Sequence, residues 1–423
     1  MTLGEARRTV VSVVAELARL PDGSVDLARP ATAHGIDSLA LLVLREMLES
    51  RLGLHISDEA WLRMETLDDI ASYAISAPVG SSRTSQATSS RAAPVDARTG
   101  LAPDGRFHDS FEIGMPMTGT YNLAEGPLLK HLGHLRWAHM SAVSGVPSRD
   151  VMDAEGHRLY PTFFYVDLCF PPARHMGTFG ENDRIDVVCT LERFGHSMLD
   201  GLAFMVPGDQ GPYEPHTLDS EDRALAAGVP VARLSCIFVK QFDGAAWLKR
   251  SRPAVEGFER IAEAAAAPDA YEITKAAARD GRFERPLTGL RPLTHGWTEV
   301  DYTIVPERDL NGAGLIYFAN YPVILDICER QILQRAEPGF SLRQLARRSL
   351  IRRQSAYLNN ASADDTLTVE MEAFLAEPAR PAPGSAEDNP TARLLIHHRM
   401  RRRSDGRVML VSAAEKLIPA HDD

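Results

Sequence analysis

At the head of the chain, the residue whose type and setting best suit chemistry is the serine of Asp37-Ser38-Leu39. Asp37 is read as the cap of a helix beginning there, which sets Ser38 in the first turn with its hydroxyl towards water. A phosphodiester on that hydroxyl would sit where free backbone N–H groups and the helix dipole favour negative charge. Two asparagines stand at later helix entries: Asn122, shortly before an apolar run, and Asn320, read as a cap with Pro322 in the first turn. His131, His134 and His139 fall on one expected helix. Their spacing lacks the i, i+4 pair that binds a metal, so they read as solvent-facing or core groups and no metal is expected. No GxSxG and no P-loop occurs. Cys169, Cys189, Cys236 and Cys328 lack CxxC or Cys/His ligand spacing and read as buried free thiols of a cytoplasmic protein.

The elements that must position Ser38 follow from periodicity. Residues 6–20 read as a helix with Val10, Val13, Val14 and Leu17 on one face. Leu41, Leu42, Leu44, Met47 and Leu48 follow Ser38 at helical spacing, Ser57-Asp58 begins a short helical turn, and Thr66-Leu67-Asp68-Asp69-Ile70 caps a last helix ending near Tyr73. With Gly35-Ile36-Asp37-Ser38-Leu39, this resembles the acyl carrier protein family, an all-α four-helix domain. The resemblance implies 4'-phosphopantetheine as a covalent cofactor on Ser38, and a phosphopantetheinyl transferase as a partner.

At 423 residues and 44% hydrophobic content the chain has room for two or three folded domains. A net charge of −11 argues against general nucleic-acid binding, and no apolar run approaches a membrane span. Nothing at the start reads as a signal peptide, because Glu16 and Arg19 interrupt the apolar run. Residues 1–77 hold twelve acidic and seven basic side chains, whereas arginines gather late, at Arg347-Arg348, Arg352-Arg353 and residues 399–403. Those late arginines either attract the acidic module or solvate exposed strand ends. Residues 78–105 are rich in Ser, Pro and Gly and read as a flexible linker, with a typical span of roughly 30 Å.

Beyond the linker, one order of elements is expected twice: strand, Gly-rich entry, long helix, antiparallel meander. In the first unit, 106–255, a strand around Phe111 precedes a helix with Leu128, Leu129, Leu132 and Leu135 on its apolar side. Strands are expected at 160–170, 184–194, 198–205 and 232–240. Residues 256–296 connect the units, with a helix over 256–277. The second unit, 297–423, has strands at 297–305, 345–358, 366–374, 392–402 and 408–417, and a helix running from Asn320 through Gln331. This is an α+β pattern. Tyr317-Phe318-Ala319-Asn320-Tyr321 and the run from Leu358 to Leu367 resemble the hot-dog fold, so the region is expected to be a double hot-dog.

A more particular resemblance rests on Gly114-Met115-Pro116, Asn122-Leu123-Ala124-Glu125, Gly133-His134-Leu135-Arg136-Trp137 and Phe318-Ala319-Asn320-Tyr321-Pro322. Together they are similar to the LnmK-type bifunctional acyltransferase/decarboxylases of polyketide pathways. Ala124 and His134 depart from that family's pattern. The resemblance implies transfer of a (methyl)malonyl group from a coenzyme A thioester to the carrier's phosphopantetheine, with decarboxylation to a propionyl or acetyl thioester. It places the family's catalytic tyrosine at Tyr160. Loss of carbon dioxide leaves an enolate, which needs hydrogen-bond donors aimed at the carbonyl oxygen, and the helix entries at Asn122 and Asn320 are the expected source. A phenol with a pKa of about 10 is a poor nucleophile at pH 7, so Tyr160 is read as a positioning or proton-donating group, with a covalent role open. The implied partners are an acyl-CoA, the chain's own carrier domain and other polyketide synthase modules. The rival readings are a double hot-dog thioesterase or dehydratase, with Asp326 or Glu329 as its carboxylate, and a non-catalytic docking platform.

Overall fold

In a computed structural model, the structure describes residues 1–18, 20–21, 23–36, 44, 47–48, 51–52, 54, 56, 58–76, 100–195, 197–208, 218–241, 248–376 and 391–419. Asp37 and Ser38, most of the helix expected after them, and most of the expected linker lie outside the described residues. The chain divides into two compact units, Met1–Pro94 and Val95–Asp423. Among the described residues no helix is long and apolar enough to cross a membrane.

The first unit closes helices Leu3–Ala18, Asp58–Arg63 and Leu67–Ser76 around one apolar core. Val10, Val13 and Val14 meet Ile36, Leu44, Leu48, Ile56, Leu67 and Ile70 there, as the helical spacing requires. The last helix starts on a reciprocal cap: Thr66 N–H donates to the Asp69 carboxylate (2.8 Å) and Asp69 N–H to the Thr66 hydroxyl (3.3 Å). Arg7 donates twice to Asp68, at 2.7 Å each, and ties the first helix to the last.

The second unit is built on one antiparallel sheet of fifteen strands among the described residues. Its first half contains β1 (Gly100–Leu101), β2 (Phe107–Glu112), β3 (Tyr160–Cys169), β4 (Arg184–Cys189), β5 (Glu192–Phe194), β6 (Met198–Asp200), β7 (Leu202–Pro207), β8 (Val231–Gln241) and β9 (Leu248–Arg250). Its second half contains β10 (Arg291–Pro292), β11 (Thr298–Thr303), β12 (Ser349–Tyr357), β13 (Thr366–Ala376), β14 (Thr391–Arg402) and β15 (Val408–Pro419). The main strands of the two halves run β2-β4-β7-β8-β3 and β11-β13-β14-β15-β12. Each half thus follows the same order, first, third, fourth, fifth, second. In each, a long helix lies between the first and second strands: Glu125–Ser144 and Tyr321–Ala336. Each second strand carries a bulge against its fifth, at Phe164 in β3 and Ile351 in β12. The halves join where β3 pairs with β12, with Asp167 opposite Gln354. This internal repeat matches the two similar α+β units expected from the sequence, each a strand, a long helix and an antiparallel meander.

Each long helix buries its apolar stripe on the sheet: Leu128, Leu129, Leu132 and Leu135 in the first, Ile324, Leu325, Cys328, Ile332 and Leu333 in the second. Each such side chain contributes about 1.5–3 kcal/mol of burial. The first helix has glycines where the segment entering the second comes closest. A methyl at Gly126 would lie 2.8 Å from Val323 Cγ2, and one at Gly133 would lie 2.9 Å from the Phe318 ring and 3.2 Å from the Tyr317 hydroxyl.

Several sequence-based boundaries shift for local reasons. The strand expected at 198–205 breaks at Gly201, whose carbonyl accepts from the buried Arg136 guanidinium (3.0 Å), as does that of Leu234 (3.1 Å). The strand expected at 184–194 likewise divides into β4 and β5. The Ala-rich helix expected over 256–277 forms only as Asp269–Asp280, starting directly after Pro268. The strand expected from 345 begins at Ser349, because Ser341 and Gln344 make a capping box that turns Leu342–Ala346 into a short helix. Gly100–Leu101 pairs with Phe107 and His108, so the sheet starts within the stretch read as linker.

Candidate functional site

Strand β3 enters the sheet at Tyr160, and the period of two puts Tyr160 and Thr162 on one face. They line one cavity with the segment that leads into the second long helix, Leu315, Ile316, Tyr317 and Phe318 included, and with the end of β12 at Tyr357. These elements, with Trp137 of the first helix, enclose the cavity, of about 520 Å³, at the join of the two halves. That size suits a ligand larger than a short acyl group alone. Aromatic rings form much of its wall: Phe318 lies 4.3 Å from Phe163 and 4.9 Å from Tyr317 between ring centres.

Most polar groups of the wall are already engaged. The Asn360 carbonyl oxygen accepts from Ile316 N–H (3.0 Å) and Ala361 N–H (2.8 Å), and its amide donates to the Ile316 carbonyl (3.3 Å). Tyr357 donates to the Phe318 carbonyl (3.2 Å) and Asn359 to that of Val408 (2.8 Å). Arg402 is held by Asp405 and the Asn360 carbonyl, and the exposed Arg250 donates to Ser197 (2.6 Å). Three hydroxyls differ: those of Tyr160, Thr162 and Tyr317 have no hydrogen-bond partner among the described residues. Burial pushes the Tyr317, Tyr321 and Tyr357 phenols above their ordinary pKa, so each is a neutral O–H at pH 7. The described residues that line the cavity include no Asp, Glu, His or Cys.

The internal repeat supplies a built-in comparison. Aligning the bulges pairs Tyr160 with Arg347 and Thr162 with Ser349, and aligning Pro322 with Pro127 pairs Tyr317 with Asn122. In this counterpart every group is engaged. Ser349 accepts from Gly177 N–H (2.6 Å) and shares a hydrogen bond with His175 Nδ1 (2.6 Å), Asn122 donates to the Gly177 carbonyl, and Arg347 lies over the Tyr121 ring at 5.0 Å. Burial lowers the His175 pKa and favours the neutral ring.

Of the residues singled out from sequence, the structure therefore brings Tyr160 to the cavity. Asn320 is buried beneath it, donating to the carbonyls of Arg308 (2.8 Å) and Asp309 (3.1 Å), and its side chain makes no cap bond to the helix. Asn122 stands in the counterpart. Tyr317 and Thr162 were not singled out, because Ile316-Tyr317-Phe318 reads as ordinary core and Thr162 as an ordinary strand residue.

Asp326 and Glu329 belong to a different place, an ion cluster between the second helix and the sheet. Glu329, fully buried, meets Lys416 at 2.6 Å, His398 at 3.0 Å and Arg348 at 3.1 Å. Arg353, only 2% exposed, spans Glu125 (2.8 Å) and Asp326 (3.0 Å). Burial alone would raise the Glu329 pKa, but the surrounding cations, Lys416 and Arg348 foremost, hold it well below the usual carboxylate range. Burial raises the Glu125 pKa and lowers that of His398. Arg348 and Arg353 are thus interior groups, which corrects the reading of these arginines as exposed strand-end or docking charges. A further acidic group, Asp153, Glu155 and His157, lies close enough together to suit a cation. There the Lys240 ammonium sits 2.8 Å from Asp153 and 2.7 Å from Glu155.

Residues 8–74 match the family described as "Phosphopantetheine attachment site", so the N-terminal unit is a carrier domain, and Ser38 lies within the match. No curated protein matches the chain. Among solved structures, the chain is similar to an acyl-ACP thioesterase from Bacteroides thetaiotaomicron, at 13% identity and a TM-score of 0.43 over 74% of this chain and 98% of that one. It is also similar to a 12:0-ACP thioesterase from Umbellularia californica, at 12% identity and a TM-score of 0.42 over 74% of this chain and 94% of that one.

Proposed function

We propose that this protein processes acyl thioesters, transferring a (methyl)malonyl group from coenzyme A to a carrier and decarboxylating it in the cavity at Tyr160, as a starter-unit step of polyketide synthesis. The observation that carries this reading is the cavity itself: an aromatic pocket that offers the unpartnered hydroxyls of Tyr160, Thr162 and Tyr317, with no acid or imidazole among its described lining residues. Decarboxylation needs that set. It requires donors for a developing enolate oxygen and a proton source for carbon, but no general base. Hydrolysis requires a group that takes a proton from water, and Glu329, the carboxylate a hydrolase would use, is buried outside the cavity lining and engaged by Lys416 and Arg348.

Phosphopantetheine on Ser38 supplies the thiol that carries the acyl group as a thioester. The chain's own residues do the rest. The aromatic wall holds the thioester with its carboxylate out of the carbonyl plane, so that the breaking bond overlaps the carbonyl π system. As that carbon–carbon bond breaks, carbon dioxide leaves and the electron pair passes to the carbonyl oxygen. The Tyr160 hydroxyl then gives its proton to the α-carbon and regains one from water.

Tyr160→Phe keeps the ring and removes the proton. Carbon dioxide release from methylmalonyl-CoA or malonyl-CoA is expected to fall by about 10²-fold or more with KM little changed. Full activity in this variant would remove Tyr160 from the reaction.

A further inference from the structure

The sequence points to backbone N–H groups at the Asn320 helix entry as donors to the enolate oxygen, and the structure leaves few there. The Asn320 N–H is bonded to the Tyr317 carbonyl (2.8 Å), and Pro322 has none. We propose instead that the Tyr317 hydroxyl is the donor to the thioester carbonyl oxygen, a second catalytic phenol lining the same cavity as Tyr160. This rests on the reading of the cavity as a thioester site.

Three observations meet on this side chain. Its hydroxyl has no partner among the described residues, and the half-buried side chain lines the cavity, so the O–H is open to a ligand there. Second, the first long helix makes room for it. A methyl at Gly133 would stand 2.9 Å from the Phe318 ring and 3.2 Å from the Tyr317 hydroxyl, so both rings hold a glycine inside a helix where alanine would be favoured by about 1 kcal/mol. Third, the repeat shows the alternative. At the equivalent position Asn122 spends its amide on the Gly177 carbonyl, whereas Tyr317 keeps its O–H available. The segment is fixed by backbone bonds, Tyr317 N–H to the Asp309 carbonyl (3.0 Å) among them, so the phenol is held in place before any ligand arrives.

The chemistry balances simply. Tyr317 gives up no proton: its O–H lengthens towards an oxygen that gains negative charge as the carbon–carbon bond breaks, and relaxes when Tyr160 has protonated the α-carbon. A neutral phenol suits this role, since the charged form could not donate.

The test places 3-fluorotyrosine at 317 in the full chain and follows its ¹⁹F resonance with two ligands, propionyl-CoA and S-propyl-CoA, which lacks the carbonyl. The first is expected to move the resonance and the second to leave it nearly in place. Equal response to both, or response to neither, overturns the proposal. In parallel, Tyr317→Phe is expected to lower kcat for carbon dioxide release by about 10²–10³-fold at similar KM. The fluorinated, more acidic phenol is expected to move the alkaline limb of the pH profile downwards, which a packing role would not do. A wild-type chain that releases no carbon dioxide, while the carbonyl-dependent shift persists, would refute the decarboxylase reading and leave the Tyr317 assignment standing. Wild-type turnover unaffected by Tyr317→Phe would do the reverse.

Discussion

Glu329→Gln separates a structural carboxylate from a catalytic one. The side chain is fully buried and lies within 3.1 Å of Lys416, His398 and Arg348. The amide keeps the shape and removes the charge. Lys416 is then left with Asp326 (2.6 Å), whose side chain is 44% exposed, while Arg348 keeps a long contact to the Asp326 backbone carbonyl (3.4 Å). Breaking a buried pair by removing one partner costs about 3–5 kcal/mol, because the remaining charge stays buried without compensation. For a unit of this size each kcal/mol shifts Tm by about 2 °C, so a fall of about 6–10 °C is expected. Thermal unfolding followed by circular dichroism reads the stability, and thioester turnover well below the new Tm reads the chemistry. The account predicts a large loss of Tm with kcat within about threefold of wild type, the residual change reflecting strain passed along the helix. An unchanged Tm with abolished turnover would refute the reasoning and make Glu329 the base of a hydrolase.

Gly133→Ala gains about 1 kcal/mol of helix propensity but sets a methyl 2.9 Å from the Phe318 ring, and overpacking costs about 1–3 kcal/mol. A net loss of up to about 2 kcal/mol in chemical denaturation is expected, together with a disproportionate loss of turnover as the Tyr317 hydroxyl is displaced; a stabilised, fully active variant would contradict the close approach. His139, buried against Phe107 and donating to the Gly105 carbonyl (2.9 Å), has its pKa lowered by burial to about 4. Its folded pKa lies below the unfolded value, so the stability it protects is present above about pH 6.5 and is lost as pH falls towards 4, by about 2 kcal/mol between pH 7 and 5. Denaturant midpoints at the two pH values, with His139→Gln as the variant in which this part of the pH dependence disappears, check the sign and the size.

Much of the fold could be read from the chain because its signals are local. Leu128, Leu129, Leu132 and Leu135 declare one helix face, β3 is a mostly apolar run, and the repeat shows as two Gly-rich entries before two helices. Features set by distant partners were not legible. Nothing near Gly201 says that Arg136 donates to its carbonyl, and nothing in Arg352-Arg353 distinguishes the half-exposed first residue from the buried second, because that choice is made by Glu125 more than 200 residues away. The site was legible to the same degree. Tyr160 could be matched by pattern, but Tyr317 and Thr162 acquire meaning only when β3 is laid beside β12 and their hydroxyls are left without partners. Asn320 looked like a cap, yet its amide turns back to the carbonyls of Arg308 and Asp309 because the turn Pro306–Asp309 folds beneath it.

The central claim is that a carboxylated acyl thioester loses carbon dioxide in the Tyr160 cavity and remains a thioester on the carrier. Intact-protein mass spectrometry of the phosphopantetheinylated chain after exposure to methylmalonyl-CoA tests it directly. The account predicts a carrier bearing a propionyl group, absent in Ser38→Ala and strongly slowed in Tyr160→Phe. A carrier that stays unacylated while free acid accumulates, or one that holds methylmalonyl unchanged, would contradict it.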